Sequence, residues 1–78
     1  MKATAIWDRS NGGWFIRLEW EEYGESASRD SLPPDIQGLD ANSTDEEIME
    51  IVEQAIKWES QRFDPEEWEK EIDRSDLY

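Results

Sequence analysis

The chain has 78 residues, and its 21 acidic against 8 basic side chains give a formal net charge of -13. Such a surface repels nucleic acids and anionic membranes and attracts basic proteins, so we expect no direct binding to DNA, RNA or lipid. Histidine and cysteine are both absent, so the sequence lacks the usual general base, the commonest metal ligands and any disulfide. We therefore predict a soluble cytoplasmic protein that is not an enzyme and holds no metal or cofactor.

The length limits the chain to one domain, residues 1–78. Apolar residues make up only 36% of the sequence, and high charge with low apolar content favours disorder. Five tryptophans, two tyrosines and two phenylalanines oppose this tendency, because aromatic side chains bury large areas. We expect a single small acidic domain with a compact core.

Residues 2–22 predict an antiparallel β-hairpin. The stretch "SNGG" at 10–13 contains Asn11-Gly12, the preferred pair for a two-residue type I′ turn. Folding at this pair builds one apolar face from three cross-strand pairs, because side chains alternate along a strand. These pairs are Trp7 with Ile16, Ala5 with Leu18, and Ala3 with Trp20.

Residues 23–42 form either a loop or a third strand. Their "PPDIQG" segment has the composition of a loop. A loop of nearly the whole stretch would be unusual in a compact domain, however, and a lone hairpin is rarely stable. A third strand near residues 26–31 is therefore favoured.

The main helix is predicted over residues 44–62. Either of two overlapping capping boxes, Ser43 with Glu46 or Thr44 with Glu47, marks its start. An apolar stripe at helical spacing follows, and we expect it to cover the apolar face of the hairpin. The stripe consists of Ile48, Ile51, Val52, Ala55 and Ile56, widened by Met49, Trp58 and Phe63.

The stretch "FDPEEW" predicts a second, shorter helix over residues 65–74. Asp64 is placed at the N-cap and Pro65 at the first helical position. Phe63 and Trp68 occupy the two positions of a hydrophobic staple. The predicted fold class is therefore α+β: an N-terminal antiparallel β-hairpin or three-stranded sheet packed against one main α-helix, with a second short C-terminal helix.

Acidic side chains crowd the C-terminal half of the sequence. Residues 45–73 hold 12 acids and three bases, a net charge of -9. Like charges at helical spacing cost about 0.2–0.5 kcal/mol per pair, so a protein that needed only solubility would intersperse lysines. One interpretation is nevertheless a solvated surface. The other is a surface that imitates nucleic-acid phosphates and binds the basic groove of a DNA- or RNA-binding protein.

The second interpretation defines a set of candidate partner-binding residues. The acidic candidates are Glu46, Glu47, Glu50 and Glu53 on the main helix, Glu66, Glu67, Glu69, Glu71 and Asp73 on the second helix, and Glu19, Glu21 and Glu22 on the hairpin. Trp14 and Trp68 are added as candidate aromatic anchors, because tryptophan is common at the centre of protein interfaces. For each of them, packing in the core is nevertheless the favoured interpretation.

Small size, strong acidity and the absence of cysteine and histidine resemble phage-encoded inhibitors such as anti-CRISPR proteins and other DNA mimics. This resemblance rests on composition and covers the whole chain. It implies a stoichiometric inhibitor that binds a CRISPR effector complex, or another defence nuclease, at its nucleic-acid channel. The partner is then a basic nucleic-acid-binding protein or nucleoprotein complex in the host cytoplasm, and the inhibitor is a monomer or homodimer.

A second resemblance comes from the order of the elements. A hairpin turning at "NGG", a loop and then "STDEEIMEIVEQAIKW" are similar to the small sheet-plus-helix domain of HicB-type antitoxins, over residues 2–58. That resemblance implies neutralisation of a small basic ribonuclease toxin. An acidic adaptor module that binds a basic surface without mimicry is a third alternative.

Overall fold

In a computed structural model that describes residues 1–59 and 65–75, one α-helix packs against one face of a four-stranded mixed sheet. The strand order is β3-β2-β1-β4, with β4 parallel to β1 and the other neighbours antiparallel. The predicted α+β class is confirmed. The elements are the strands β1 Lys2–Asp8, β2 Gly13–Glu22, β3 Glu25–Ser31 and β4 Glu69–Asp73, the helix α1 Asp45–Glu59, and the 3-10 segments Pro34–Gly38 and Pro65–Glu67.

β1 and β2 pair antiparallel, but their register differs by two residues from the predicted one. The predicted turn at Asn11-Gly12 is wrong, since β1 ends at Asp8, β2 begins opposite it at Gly13, and residues 9–12 form a longer loop. A shift of two residues preserves the alternation of side chains, so the apolar face is still the predicted one. Its buried members are Ala3, Ala5, Ile16 and Leu18, with Trp7 and Trp20 half-buried beside them.

The side chain of Asp8 explains the longer loop. Its carboxylate accepts hydrogen bonds from the backbone N–H of Ser10 at 3.0 Å and from Nδ2 of Asn11 at 2.7 Å. The backbone N–H of Gly12 donates to the Asp8 carbonyl oxygen at 2.9 Å, and its φ of +66° is a conformation that favours glycine. Asn11 therefore stabilises the loop through its side chain and not as the first residue of a two-residue turn.

Residues 23–42 contain both a third strand and a 3-10 segment. β3 pairs antiparallel with β2, after a tight connection at Tyr23 and Gly24, which both have positive φ. The 3-10 segment follows Pro33 and buries Ile36 in the core. Of the two alternatives for this stretch, the third strand is correct, because pairing with β2 satisfies backbone groups that a long loop would leave unpaired.

The start of α1 agrees with one of the two predicted capping boxes. The Thr44 hydroxyl accepts the backbone N–H of Glu47 at 3.2 Å and donates to its carboxylate at 3.2 Å. The apolar stripe from Ile48 to Ile56 is buried, as predicted. Trp58, by contrast, is 57% exposed and does not belong to the stripe. Residues 60–62 of the predicted helix, and Phe63, lie outside the described residues.

The predicted C-terminal helix over residues 65–74 is wrong. Only Pro65–Glu67 is helical, as a 3-10 segment, and the chain then forms β4 in parallel with β1. The backbone N–H of Glu69 also donates to the Met1 carbonyl oxygen at 2.9 Å. The free edge of β1 offers a row of backbone donors and acceptors that a strand satisfies and a helix does not. The predicted N-cap, Asp64, lies outside the described residues.

The core lies between α1 and the helix-facing side of the sheet. Ile16 and Leu18 of β2 meet Ile48, Val52 and Ile56 of α1, all with almost no exposure. Each of these large aliphatic side chains contributes about 1.5–3 kcal/mol when it is fully buried. Within residues 1–59 and 65–75, no helix combines the length and apolar character needed to span a membrane.

Candidate protein-binding surface

The sheet has one face packed against α1 and one face turned away from it. Paired residues on neighbouring strands lie on the same side of a sheet, so the register assigns each side chain to a face. We call the face turned away from α1 the open face. It carries Lys2, Thr4, Ile6 and Asp8 of β1, Phe15, Arg17, Glu19 and Glu21 of β2, Ser26, Ser28 and Asp30 of β3, and Glu69, Glu71 and Asp73 of β4.

The open face is strongly acidic. Seven carboxylates and two basic side chains give it a formal net charge of -5 (seven minus two). Both bases are already paired, since Lys2 Nζ lies 3.1 Å from Glu71 and Arg17 Nε lies 3.1 Å from Asp30. The structure thus brings five of the candidate residues together here, namely Glu19, Glu21, Glu69, Glu71 and Asp73.

Lys2 lies among three of these carboxylates. A hydrogen bond and the charge of Glu71 raise the pKa of Lys2 above its ordinary value of 10.5, and the charges of Glu19 and Glu69 add to the effect. The amine is therefore protonated throughout the physiological pH range. Its ion pair with Glu71 connects β1 to β4, and the neighbouring carboxylates of Glu19 and Glu69 add negative charge that this one amine does not balance.

The acidic candidates of α1 lie on the opposite side of the molecule. Glu46, Glu47 and Glu50 are exposed on the helix surface that faces away from the sheet. Glu53 is exposed as well, but its carboxylate lies 3.3 Å from Nζ of Lys70 on β4. The expectation of one acidic surface shared by the helix and the C-terminal segment is therefore wrong, because the two groups face in opposite directions.

Three further acidic candidates lie at the end of the sheet near Met1. Glu22 is the last residue of β2, while Glu66 and Glu67 belong to the 3-10 segment before β4, and all three are exposed. They belong to neither the open face nor the outer surface of α1. They extend the negative potential around this end of the domain.

Trp14 and Trp68, the candidate aromatic anchors, are core residues with exposures of 3% and 5%. The indole N–H of Trp14 donates to the Asp40 carbonyl oxygen at 2.8 Å, and its ring lies 5.5 Å from that of Trp7 in an edge-to-face arrangement. Large aromatic rings stabilise a core of this size more than any other side chain, which explains their burial. Of the two interpretations of these tryptophans, packing in the core is the one that the folded chain shows.

Other large apolar side chains than Trp14 and Trp68 are exposed on the surface. Tyr23 is 97% exposed, Leu32 is 70% exposed and Trp58 is 57% exposed. For Leu32 the sequence did hold a signal, because it continues the even-numbered series of β3 residues that ends at Asp30 on the open face. Only the pairing of β3 with β2 shows which face that series occupies.

Three ion pairs join α1 to the sheet. Arg29 of β3 pairs with Glu59 at 3.0 Å, and Lys70 of β4 pairs with Glu53. Arg74, directly after β4, pairs with Asp45 at 2.6 Å. With the two pairs on the open face, five basic side chains of the described ranges are held by carboxylates of the chain itself. These five bases therefore act within the fold, and the surplus of acids is left on its surfaces.

No family model, curated protein or solved structure matches this sequence. Among the residues that the structure describes, no group of three or more acidic side chains is arranged to hold a metal ion.

Proposed function

We propose that this protein is a stoichiometric inhibitor that binds the basic nucleic-acid-binding surface of another protein, as an acidic mimic of nucleic acid. The observation that carries the proposal is the collection of seven carboxylates from four strands on the one sheet face that α1 leaves uncovered. A CRISPR effector or another nuclease complex of host defence, in the host cytoplasm, is the kind of partner that this chemistry fits.

The density of charge on the open face supports mimicry. Glu69, Glu71 and Asp73 alternate along β4, so successive carboxylates are about 6.6 Å apart, and the row of Glu19 and Glu21 on β2 lies about 10 Å away. The length of β4 is about 13 Å. Duplex DNA of that length carries about eight phosphate charges around its whole circumference, of which one side presents about half. Over that length, β4 and the positions level with it on the other strands carry five carboxylates and two basic side chains on the open face, a net charge of -3 (five minus two) that is close to that half.

Such a surface predicts a particular binding behaviour. Complementary charge accelerates encounter with a basic groove, so the association rate should fall steeply as salt is added. The sheet also fixes the backbone positions from which these carboxylates project, which lowers the entropic cost of ordering them on binding.

A second candidate function is neutralisation of a small basic ribonuclease toxin. It is supported by the order of β1, β2 and β3 followed by α1, which is the sheet-then-helix order on which the similarity to HicB-type antitoxins rests. Both candidates are acidic stoichiometric inhibitors of a basic protein. They differ in whether the partner is a nucleoprotein complex or a small free enzyme.

Capture of the partner tests the proposal and locates the binding surface. The immobilised full chain is incubated with a lysate of its natural host, and captured proteins are identified and purified. Two double variants are compared, Glu19→Gln/Glu69→Gln on the open face and Glu46→Gln/Glu50→Gln on α1. Both pairs are exposed and both change the net charge from -13 to -11 (two carboxylates removed). Overall charge is thereby matched, and only position differs.

We expect the captured protein to be a nucleic-acid-binding protein that duplex DNA or RNA displaces from the chain. The open-face double variant should weaken binding about 30-fold, for two lost charge contacts of about 1 kcal/mol each, and the α1 double variant much less. If binding is equally strong when the nucleic-acid site of the partner is filled, mimicry is refuted. If the α1 variant is the weaker binder, the open face is the wrong surface.

A further inference from the structure

The open face has an apolar strip at one end, formed by Ile6, Phe15 and Leu32. Ile6 of β1 lies directly opposite Phe15 of β2, and both are half-buried. Leu32 follows the last residue of β3, and alternation from Asp30 places it beside Phe15 on the same face. Its side chain is 70% exposed. The strip thus runs across three neighbouring strands and ends at an unusually exposed leucine.

The strip opens into a cleft between the hairpin loop and the segment after β3. Phe15 and Leu32 line this cleft together with Pro34 and Leu39, and Asp8 and Asp30 also line it. Pro33, which precedes the 3-10 segment, is buried and has an extended conformation with φ of -60° and ψ of 153°. Two adjacent prolines restrict this wall, so the cleft requires little ordering when a ligand enters.

The charges around the strip decide what can cover it. A second copy of the chain would set one net charge of -5 against another, and an anionic membrane or a nucleic acid would be repelled in the same way. A protein segment with an apolar side chain between basic ones fits both parts of the surface. Its apolar side chain would contact Phe15 and Leu32, while its basic side chains would pair with Asp8 and Asp73.

We propose that the apolar strip is the anchoring point of the open face and receives an aliphatic or aromatic side chain flanked by arginine or lysine on the partner. This inference rests on the proposed function, because it assumes a basic partner. It specifies the part of that partner that the apolar strip contacts. Apolar anchors surrounded by charged contacts are the usual arrangement at interface centres, where the anchor slows release and the charges speed encounter.

Two synthetic peptides test the inference even while the partner is unidentified. Both carry the same arginine and lysine residues, and they differ only in a central residue, leucine in one and serine in the other. Binding to the full chain is followed by backbone and methyl chemical shifts in solution. We expect the leucine peptide to bind about five- to tenfold more tightly, with the largest shifts at Ile6, Phe15 and Leu32.

A matched pair of variants locates the anchor. Leu32→Ser should abolish the preference for the leucine peptide, whereas Tyr23→Ser, at the exposed turn between β2 and β3, should leave it unchanged. Since both side chains are mostly exposed, thermal unfolding should show that both variants remain folded.

Three results would overturn the inference. The first is equal affinity for the two peptides, and the second is a set of shifts centred on α1. The third is a concentration-dependent dimer of the chain that Leu32→Ser abolishes, which would make a second copy the occupant. If any of these occurs while nucleic acid still displaces the captured partner, the anchor is refuted and the proposed function stands. If the captured partner is not displaced, the function fails independently of the peptides.

Discussion

Arg74 links the end of the sheet to the start of α1, and its replacement by methionine tests how β4 is held. Its Nη2 atom lies 2.6 Å from the carboxylate of Asp45 and donates to the Ser43 carbonyl oxygen at 3.1 Å. The guanidinium carbon lies 5.6 Å from the centre of the Trp14 ring. Arg74→Met keeps the apolar part of the side chain and removes all three polar interactions.

The size of the effect depends on the exposure of each contact. The side chain of Asp45 is 78% exposed, so solvent screens the ion pair and it contributes about 0.5 kcal/mol. The partly buried hydrogen bond to Ser43 contributes about 1 kcal/mol, and the contact with Trp14 about 0.5 kcal/mol. We therefore expect Arg74→Met to lower the free energy of unfolding by about 2 kcal/mol, or the Tm by about 10 °C for a domain of this size.

Arg17→Met is the matched control. Arg17 also forms one ion pair, with Asp30, and one ring contact, with Phe15 at 5.5 Å, but its partners belong to neighbouring strands and it joins no separate element. With both ion-pair side chains about half exposed, its loss should cost less than about 1 kcal/mol. Urea unfolding followed by tryptophan fluorescence gives both values. Equal losses would refute the conclusion that Arg74 fastens β4 to α1.

Three further predictions concern the hairpin loop, the tryptophans and the end of β4. Asp8→Ala removes both side-chain hydrogen bonds of the loop and should lower the free energy of unfolding by about 1 kcal/mol, measured by urea unfolding; no loss would contradict the assigned loop. Trp58→Phe should remove most of the fluorescence that acrylamide quenches, whereas Trp20→Phe should remove little. A larger loss of quenchable fluorescence in Trp20→Phe would contradict the assignment of Trp58 as the more exposed of the two. The hydroxyl and backbone N–H of Ser75 hold the pKa of Asp73 below its ordinary value of 3.8, so Ser75→Ala should move this pKa back toward 3.8 in a carboxyl-carbon titration. Because the folded-state pKa of Asp73 is lowered, the stabilisation by Ser75 is present above pH 3.8 and should disappear as the pH falls through the folded-state pKa. An unchanged pKa of Asp73 in Ser75→Ala would contradict the role assigned to Ser75.

Alternation explains why the faces of the hairpin were predictable and its register was not. The apolar face of Ala3, Ala5, Ile16 and Leu18 is the same in any register that differs by two residues. The choice between such registers depends on the loop, where the carboxylate of Asp8 competes with the local preference of Asn11-Gly12 for a two-residue turn. Local turn statistics do not include that competition.

The C-terminal segment shows the limit of local helix signals most clearly. Proline and two glutamates after an aspartate satisfy the rules for a helix start, and a 3-10 turn does form at Pro65–Glu67. The conformation after this turn is decided by the free edge of β1, which accepts β4 and whose paired residues lie 67 positions away in the sequence. No window of neighbouring residues contains that information.

The sequence by itself determined the excess of acids, the α+β class, the buried stripe of α1 and the apolar side of the hairpin, because these depend on composition and on local periodicity. Only the tertiary structure decided which way the acids point. In a helix, Glu69, Glu71 and Asp73 would project in different directions, since successive residues turn by about 100°. In the strand that the edge of β1 imposes, alternate residues share one side, and the three carboxylates join those of β2 on the open face.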